Sequence, residues 1–473
     1  MAELEPLYLT HTSYPSRSKI MSSQKLYNMY PELPVESSPF KIATLFNIPG
    51  LTEWLTIESN FNPYYGGIVM NGFLYVVFGV KLYKIDTNLN ITEVGELTTS
   101  PAKVTMVENG LQVSILTNAG IVFYYDSEDD IFGQVTIPDV PNASSIATLD
   151  GYTIVSKVET GRFYISNLRN TTTWSASVFS TAEALSDNII AIAVYQEQLF
   201  FLGEKSIEIW YNSGVTSQPF RPVNQTFIQM GCISKTALCT SVSGLFWIAD
   251  NKSIFQTSAY QAKKISTLGI DYQMSILTNP KDVTVFSYIQ EGHEFIVFSF
   301  ISDELTLVYD VQTDTWHNRG SLDNNKQIYW GCLDVISFAN KMIAPSIPNG
   351  QLFYLDTTKF TENGATLTSE FVSSTLFFNF NRFTINQLVL VVENGVGTSN
   401  GDTPLIEMFV SRDGGKVWDT PKAKSIGKEG EYLTQIKWQN LGQGRNFIFK
   451  FRITDPVPRI IVGAYYQKTM GGV

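Results

Sequence analysis

Three histidines, His11, His293 and His317, are the chain's whole supply of imidazole. Imidazole is the side chain best suited to proton transfer near neutral pH. None of the three has a carboxylate and a nucleophile beside it at a recognisable catalytic spacing, and no HxxxH or HExxH metal pattern occurs. A Ser-His-Asp triad need not be local in sequence, but nothing in the flanking residues singles out a nucleophile. The phosphate-cradling loop and the dinucleotide fingerprint are also absent. No catalytic, cofactor-binding or metal-ligating residue is assigned from these patterns.

One short motif has a defined mechanical role. Ser411-Arg412-Asp413-Gly414-Gly415-Lys416-Val417-Trp418 fits the Asp-box pattern S-x-D-x-G-x-x-W. The Asp and Ser are expected to satisfy turn amides, Gly to take the strained φ, and Trp to pack beneath. A single copy is read as a hairpin lock rather than as a mark of glycan hydrolysis. Trp210, Tyr211, Trp247 and Trp330 have the chemistry of a sugar platform, but their strand spacing favours core positions. Asp129-Asp130 and Asp303-Glu304 fall in expected turns and read as solvated. The run Asp126, Glu128, Asp129, Asp130 lacks the bidentate Glu and the glycine of an EF-hand loop. Cys232, Cys239 and Cys332 are odd in number, show no CxxC spacing, and read as buried reduced thiols.

The elements that must hold these residues are strands. The 473-residue chain is 13% aromatic and only 16% charged, with 31 Phe and 23 Tyr. With Val, Ile and Thr, those aromatics favour pleated, half-buried surfaces. The net charge of −11 is uneven: residues 362–473 hold 12 basic and 10 acidic residues, the rest 21 and 34. No basic stripe of the kind that displaces counterions from nucleic acid is visible. The N-terminal residues have no apolar core of a signal peptide. The longest apolar run, Ile189 to Tyr195, is too short to span a bilayer, so no membrane insertion is expected.

A unit of three or four strands recurs from Gly66, Val104, Ile146, Ile190, Lys235, Asp282 and Tyr329, with steps of 38, 42, 44, 45, 47 and 47 residues. A period in this range is that of propeller blades. Asn71-Gly72, Asn109-Gly110, Asp150-Gly151 and Asn349-Gly350 sit between apolar runs, as type I′ hairpin turns require. The third strand of several units ends in Asp: Asp86, Asp126, Asp310 and Asp356. Each is expected to open an Asx turn.

The period is lost near Glu362, after which long alternating strands are expected at Gln387 to Glu393, Leu405 to Ser411 and Asn446 to Ile453. The reading is all-β: a seven-bladed β-propeller over 61–361, with a C-terminal antiparallel β-sandwich-like domain over 362–473. Residues 1–60, punctuated by Pro15, Pro31, Pro34, Pro39 and Pro49, are expected to be extended and to close the propeller.

Three stretches resemble a known family. They are Gln24 to Trp54, containing Pro49-Gly50; Ser206 to Gly214 (SIEIWYNSG), followed by Pro219-Phe220 and Gly231 to Lys235; and Leu307 to Gly320 (LVYDVQTDTWHNRG). Together with the repeat they make the chain similar to the podoviral tail hub, or packaged DNA stabilisation protein, of short-tailed bacteriophages. The likeness covers most of residues 24–361, and in the C-terminal domain only the final stretch, Arg445 to Tyr466. The resemblance implies a non-enzymatic structural virion protein: a homo-oligomer, expected as a six-fold ring, assembled in the host cytoplasm and built into the virion tail. Such a ring sits below the portal and head-to-tail adaptor, extends the DNA conduit, helps retain the packaged genome, and supports fibre, spike or needle proteins. DNA would pass through its lumen without sequence-specific binding. The alternative is a receptor-binding or glycan-hydrolysing tail propeller. The hydrolase needs an arginine cluster near the axis, and the blades hold only Arg162, Arg169, Arg221 and Arg319.

Overall fold

The computed structural model describes residues 4–33, 43–57, 62–99, 101–182, 187–216, 218–258, 260–323, 326–345, 350–379, 381–397 and 403–471. Six consecutive four-stranded antiparallel meanders form the blades of a β-propeller. Blade I comprises Tyr64–Met70, Phe73–Phe78, Lys81–Ile85 and Ile91–Glu96; blade II, Thr105–Glu108, Gln112–Leu116, Val122–Asp126 and Ile131–Gln134. Blade III comprises Ala143–Leu149, Tyr152–Lys157, Arg162–Asn167 and Asn170–Thr181; blade IV, Ile189–Tyr195, Gln198–Gly203, Ile207–Asn212 and Phe220–Ile228. Blade V comprises Leu238–Ser241, Gly244–Ile248, Ile254–Ser258 and Gln261–Lys264; blade VI, Thr284–Gln290, His293–Phe300, Leu305–Asp310 and Thr315–Arg319.

The second strand of a blade reads as a nearly unbroken apolar run because both of its faces are covered. Gln112–Leu116, Gly244–Ile248 and His293–Phe300 are buried at every residue. Separate apolar clusters fill the gaps between neighbours. Blades I and II share one built on Tyr75, Val113 and Phe123; blades III and IV share another on Phe163, Phe201 and Trp210. The first strands of successive blades touch in order around the axis, from blade I through blade VI.

The repeat beginning at Tyr329 does not supply a blade of the same construction, so the expected count of seven is not supported. It yields three strands, Ile336–Phe338, Lys341–Pro345 and Gln351–Asp356. The last of these pairs antiparallel with Gly50–Thr56 from the N-terminal region. The same six-stranded sheet takes in Thr361–Glu362 and Ala365–Thr366. A repeat count cannot register a strand donated from almost three hundred residues away. Ile343, Leu352 and Phe338 of this sheet pack on Leu74, Val76 and Phe78 of blade I.

Local turn chemistry is mixed. Asn71-Gly72 and Asp150-Gly151 have positive φ at both positions, as type I′ turns demand. Asn109-Gly110 is a correction: only Gly110 has positive φ, and the Asn109 side chain instead accepts from the Leu111 and Gln112 amides. Asn349 lies outside the described residues. All four strand-ending aspartates accept backbone amides two residues on, Asn88, Glu128, Gln312 and Thr358, at 2.8–3.0 Å. One α-helix occurs among the described residues, Leu268–Ile276, capped by the Thr267 hydroxyl accepting from the Ile270 amide.

The C-terminal domain is a two-sheet sandwich around a core that includes Leu388, Met408, Trp438, Phe449 and Phe451. Leu405–Ser411 and Asn446–Ile453 are strands with the expected bounds. N-terminal chain is woven into both layers. Glu5–Leu7 pairs with Ile461–Met470, and Met29–Glu32 pairs with Thr44–Asn47 in the same sheet. Ser23–Tyr27 lies between the two domains. It pairs parallel with the outer strand of blade VI (Tyr27 opposite Asn318) and antiparallel with Ser369–Val372 of the sandwich. Blade VI and one sandwich layer thereby become parts of a single eleven-stranded sheet.

Candidate functional site: the axial cavity and the domain seam

Two places concentrate polar groups against apolar walls. The first is a cavity of about 520 Å³ where the first strands of the blades begin. Every one of the six blades contributes to it, among them Tyr64, Val104, Ile146, Ile192, Leu238 and Phe286. Its charged groups are Lys103, Lys235, Asp282 and Asp334, each from a segment leading into a first strand. Lys103 Nζ donates to Thr284 Oγ1 at 3.0 Å. Tyr64 donates its hydroxyl to Asp334 Oδ2 at 2.8 Å, and the Val335 amide donates to Asp334 Oδ1 at 2.9 Å. Desolvation by the surrounding walls brings the Lys103 ammonium down to about 8 and raises the Asp334 carboxyl, and the attraction between the two partly offsets both shifts. Lys103 is nevertheless solvent-exposed.

The second place is the seam where blade VI meets the inserted strand and the sandwich. His293 and His317 both sit here, on adjacent regions of one blade. His293 is buried, with Nδ1 2.8 Å from Asp310 Oδ2 and Nε2 3.9 Å from Glu32 Oε1. The Asp310 hydrogen bond raises the His293 pKa. This is a His-Asp pair, but among the described residues no serine, threonine or cysteine hydroxyl or thiol hydrogen-bonds its Nε2. His317 has no exposed surface, and neither ring nitrogen has a hydrogen-bond partner among the described residues. Burial pushes it down to about 3. Arg319, 1% exposed, stacks 3.4 Å from the Trp330 ring centroid and donates to the Tyr288 hydroxyl at 2.7 Å. Asn28, with φ of 55°, ties the seam together: its amide nitrogen donates to the Gly320 and Thr368 carbonyls, and its oxygen accepts from the Gly320 amide.

The remaining candidates separate. His11 is exposed in the N-terminal region. Arg162, Arg169 and Arg221 are exposed on blades III and IV while Arg319 is buried in the seam, so the four blade arginines do not converge. Trp210, Trp247 and Trp330 are core residues and Tyr211 alone is exposed. Asp126 accepts from Gln112 and from turn amides, and Asp303 accepts from the Thr278 and Asn279 amides. Cys232 and Cys332 are buried and Cys239 is half-buried, all three unpaired.

The Asp-box acts as a lock. Asp413 Oδ1 accepts from Ser411 Oγ and from the Lys416 and Val417 amides, while Ser411 Oγ accepts from the Gly415 amide. Trp418 departs from the expected packing: it is only half-buried, beneath Lys450 at 4.9 Å. The lock faces the N-terminal segment, with the Ser23 hydroxyl donating to the Gly414 carbonyl. A Cβ at Gly414 would lie 2.6 Å from Ile20. Sequence reasoning missed the inserted strand and the cavity altogether. The cavity's charged residues lie far apart in the chain and carry no common motif.

The chain matches the family model described as bacteriophage P22 Gp10, beta-propeller, over residues 23–360, and the one described as bacteriophage P22 Gp10, beta-sandwich, over residues 368–468. No curated protein matches it. Among solved structures it is similar to streptogramin B lyase, at 12% identity over 65% of this chain and 97% of that one, with a TM-score of 0.45. The computationally designed Ika8 protein gives 10% identity over 64% and 99%, with a TM-score of 0.41. The extracellular domain of the putative hybrid two-component system BT4673 from B. thetaiotaomicron gives 11% over 75% and 44%, with a TM-score of 0.43. Likenesses at these scores carry no functional information. The two family matches together take in both folded domains and the strand that joins them, and the chain belongs to the bacteriophage P22 Gp10 family of phage tail proteins.

Proposed function

We propose that this chain is a non-enzymatic structural subunit of a short phage tail, assembling with copies of itself into a ring. The ring extends the DNA conduit beneath the portal and adaptor, helps retain packaged DNA, and anchors fibre, spike or needle proteins. The observation that carries this reading is the paired family match over propeller and sandwich. The eleven-stranded sheet supports it: a load-transmitting subunit needs its two domains joined by more than a linker, and backbone pairing through Ser23–Tyr27 joins them. The mixed sheet containing Gly50–Thr56 packs on blade I and ties the N-terminal region to the propeller.

DNA passing such a ring is met by an acidic propeller region, with 34 acidic against 21 basic residues before position 362. Like charge keeps a polyanion moving. Assembly takes place in the host cytoplasm and the product resides in the virion tail. No helix among the described residues is long and apolar enough to cross a membrane.

The test is biochemical. Purified virions, stripped of loosely bound protein, are analysed by quantitative mass spectrometry, and the purified chain by sedimentation with and without its adaptor. A fixed copy number per virion and ring-sized assemblies are expected. A chain missing from virions and monomeric under all conditions would overturn the proposal.

A further inference from the structure

The axial cavity holds two ammonium groups, and its two carboxylates, Asp282 and Asp334, act on Lys103 through space without touching it. Among the described residues neither Lys103 nor Lys235 has a carboxylate within ion-pair distance. Lys103 is exposed and Lys235 half-buried, so both ammonium groups are open to a ligand entering the cavity. The two cavity carboxylates already have donors: Asp334 takes the Tyr64 hydroxyl and the Val335 amide, and Asp282 takes the Ser302 hydroxyl. Lys103 has only the neutral Thr284 hydroxyl. Among the described residues Lys235 has no hydrogen-bond partner for its ammonium, and burial lowers its pKa.

Between these cations the walls are apolar. Val104, Ile146, Ile192, Leu238, Val285 and Phe286 line the same space. Cavities of this size and lining, with a few converging polar groups, suit small ligands. The domain around it is acidic, so general electrostatics do not explain two inward-facing lysines. A duplex is far too wide for the space, which sets this site apart from any DNA conduit.

We infer that the axial cavity is a binding site for a small amphipathic anion, its carboxylate or similar head held between Lys103 and Lys235 and its apolar body against the Val104, Ile146 and Phe286 walls. The inference does not depend on the tail assignment, because it concerns a cavity within one subunit.

Isothermal titration of the purified chain with octanoate, and in parallel with octanol, tests it. Octanoate is expected to bind at one site per chain and octanol at least tenfold more weakly. The Lys103→Met, Lys235→Met double variant should lose octanoate affinity by tenfold or more. Raising the pH from 7 to 9 should weaken octanoate binding in the parent, because Lys103 loses its proton near 8 while the acids Asp282 and Asp334 gain none. The single variant Lys235→Gln serves if the double variant does not fold, and should weaken binding severalfold. Equal binding of octanol and octanoate, unchanged affinity in the variants, or no binding at millimolar octanoate would each overturn the inference.

Discussion

His317 makes the propeller sensitive to acid. Its ring lies wholly inside the seam, edge-on to Phe295 at 5.6 Å, with neither nitrogen partnered among the described residues. The charged and titratable groups around it are Asp310, which favours protonation, and Arg319 and His293, which oppose it. Burial outweighs them and lowers the folded-state pKa from 6.5 to about 3. A proton therefore binds the unfolded chain more tightly than the folded one. The contribution of neutral His317 is fully present above pH 6.5 and is lost as pH falls from there towards 3. Linkage at about 1.36 kcal/mol per pH unit puts the loss at roughly 2 kcal/mol by pH 5 and about 3 kcal/mol by pH 4. His293 works in the opposite sense. Its pKa is raised, so its contribution is present at low pH and is lost as pH rises through the folded value. The perturbation is His317→Leu, which keeps an apolar side chain of similar bulk and removes the titration. Urea unfolding is followed by tryptophan fluorescence at pH 7.5 and pH 5, since Trp316 and Trp330 flank the seam. The variant should lose about 2 kcal/mol less than the parent between the two pH values. Equal losses in parent and variant would refute the reasoning.

Three further outcomes follow from the packing. Gly320→Ala should destabilise the seam by about 2–4 kcal/mol, because a Cβ there would meet the Ile328 carbonyl at 2.2 Å and the Tyr27 hydroxyl at 2.5 Å; thermal unfolding and the yield of soluble protein would register it, and an unchanged Tm would contradict it. Asn28→Ala leaves the Gly320 and Thr368 carbonyls and the Gly320 amide without their partners, costing about 2–4 kcal/mol, with faster amide exchange expected in Ser23–Tyr27 before the blades open. Asp356→Ala removes an acceptor for Thr52, Tyr354 and Thr358, and a loss of about 1–2 kcal/mol is expected in urea unfolding at pH 7. Because the Asp356 pKa is lowered in the folded state, its contribution should fade as pH drops below the ordinary carboxylate range, and parent and variant should converge there.

Strands with clean alternation and turns with local chemistry were legible in the sequence. Leu405–Ser411 could be bounded because Ile406, Met408 and Val410 recur at period two on the core side, and Asp86, Asp126, Asp310 and Asp356 because an Asx turn needs only its own neighbours. Hairpins without glycine were not legible. Gln196-Glu197 and Ala339-Asn340 take positive φ at both positions, where the strands on either side impose a conformation that the residues themselves disfavour. Nor was the seam. Ser23–Tyr27 is a short polar stretch whose pairing depends on two edges hundreds of residues away. The same holds for the axial cavity, whose Lys103, Lys235, Asp282 and Asp334 meet only because the blades close around one axis. His293 and His317 looked alike as letters. One is held by Asp310 and the other is stranded in the core, a difference set by which face of its strand each occupies.

Electron cryo-microscopy of intact virions at a resolution that traces strands tests the central claim most directly. The account predicts a closed ring at the tail, six-fold about the DNA axis, with density for propeller and sandwich joined through Ser23–Tyr27 in every subunit. A tail in which the chain is absent, or attached as an isolated peripheral monomer, would contradict it.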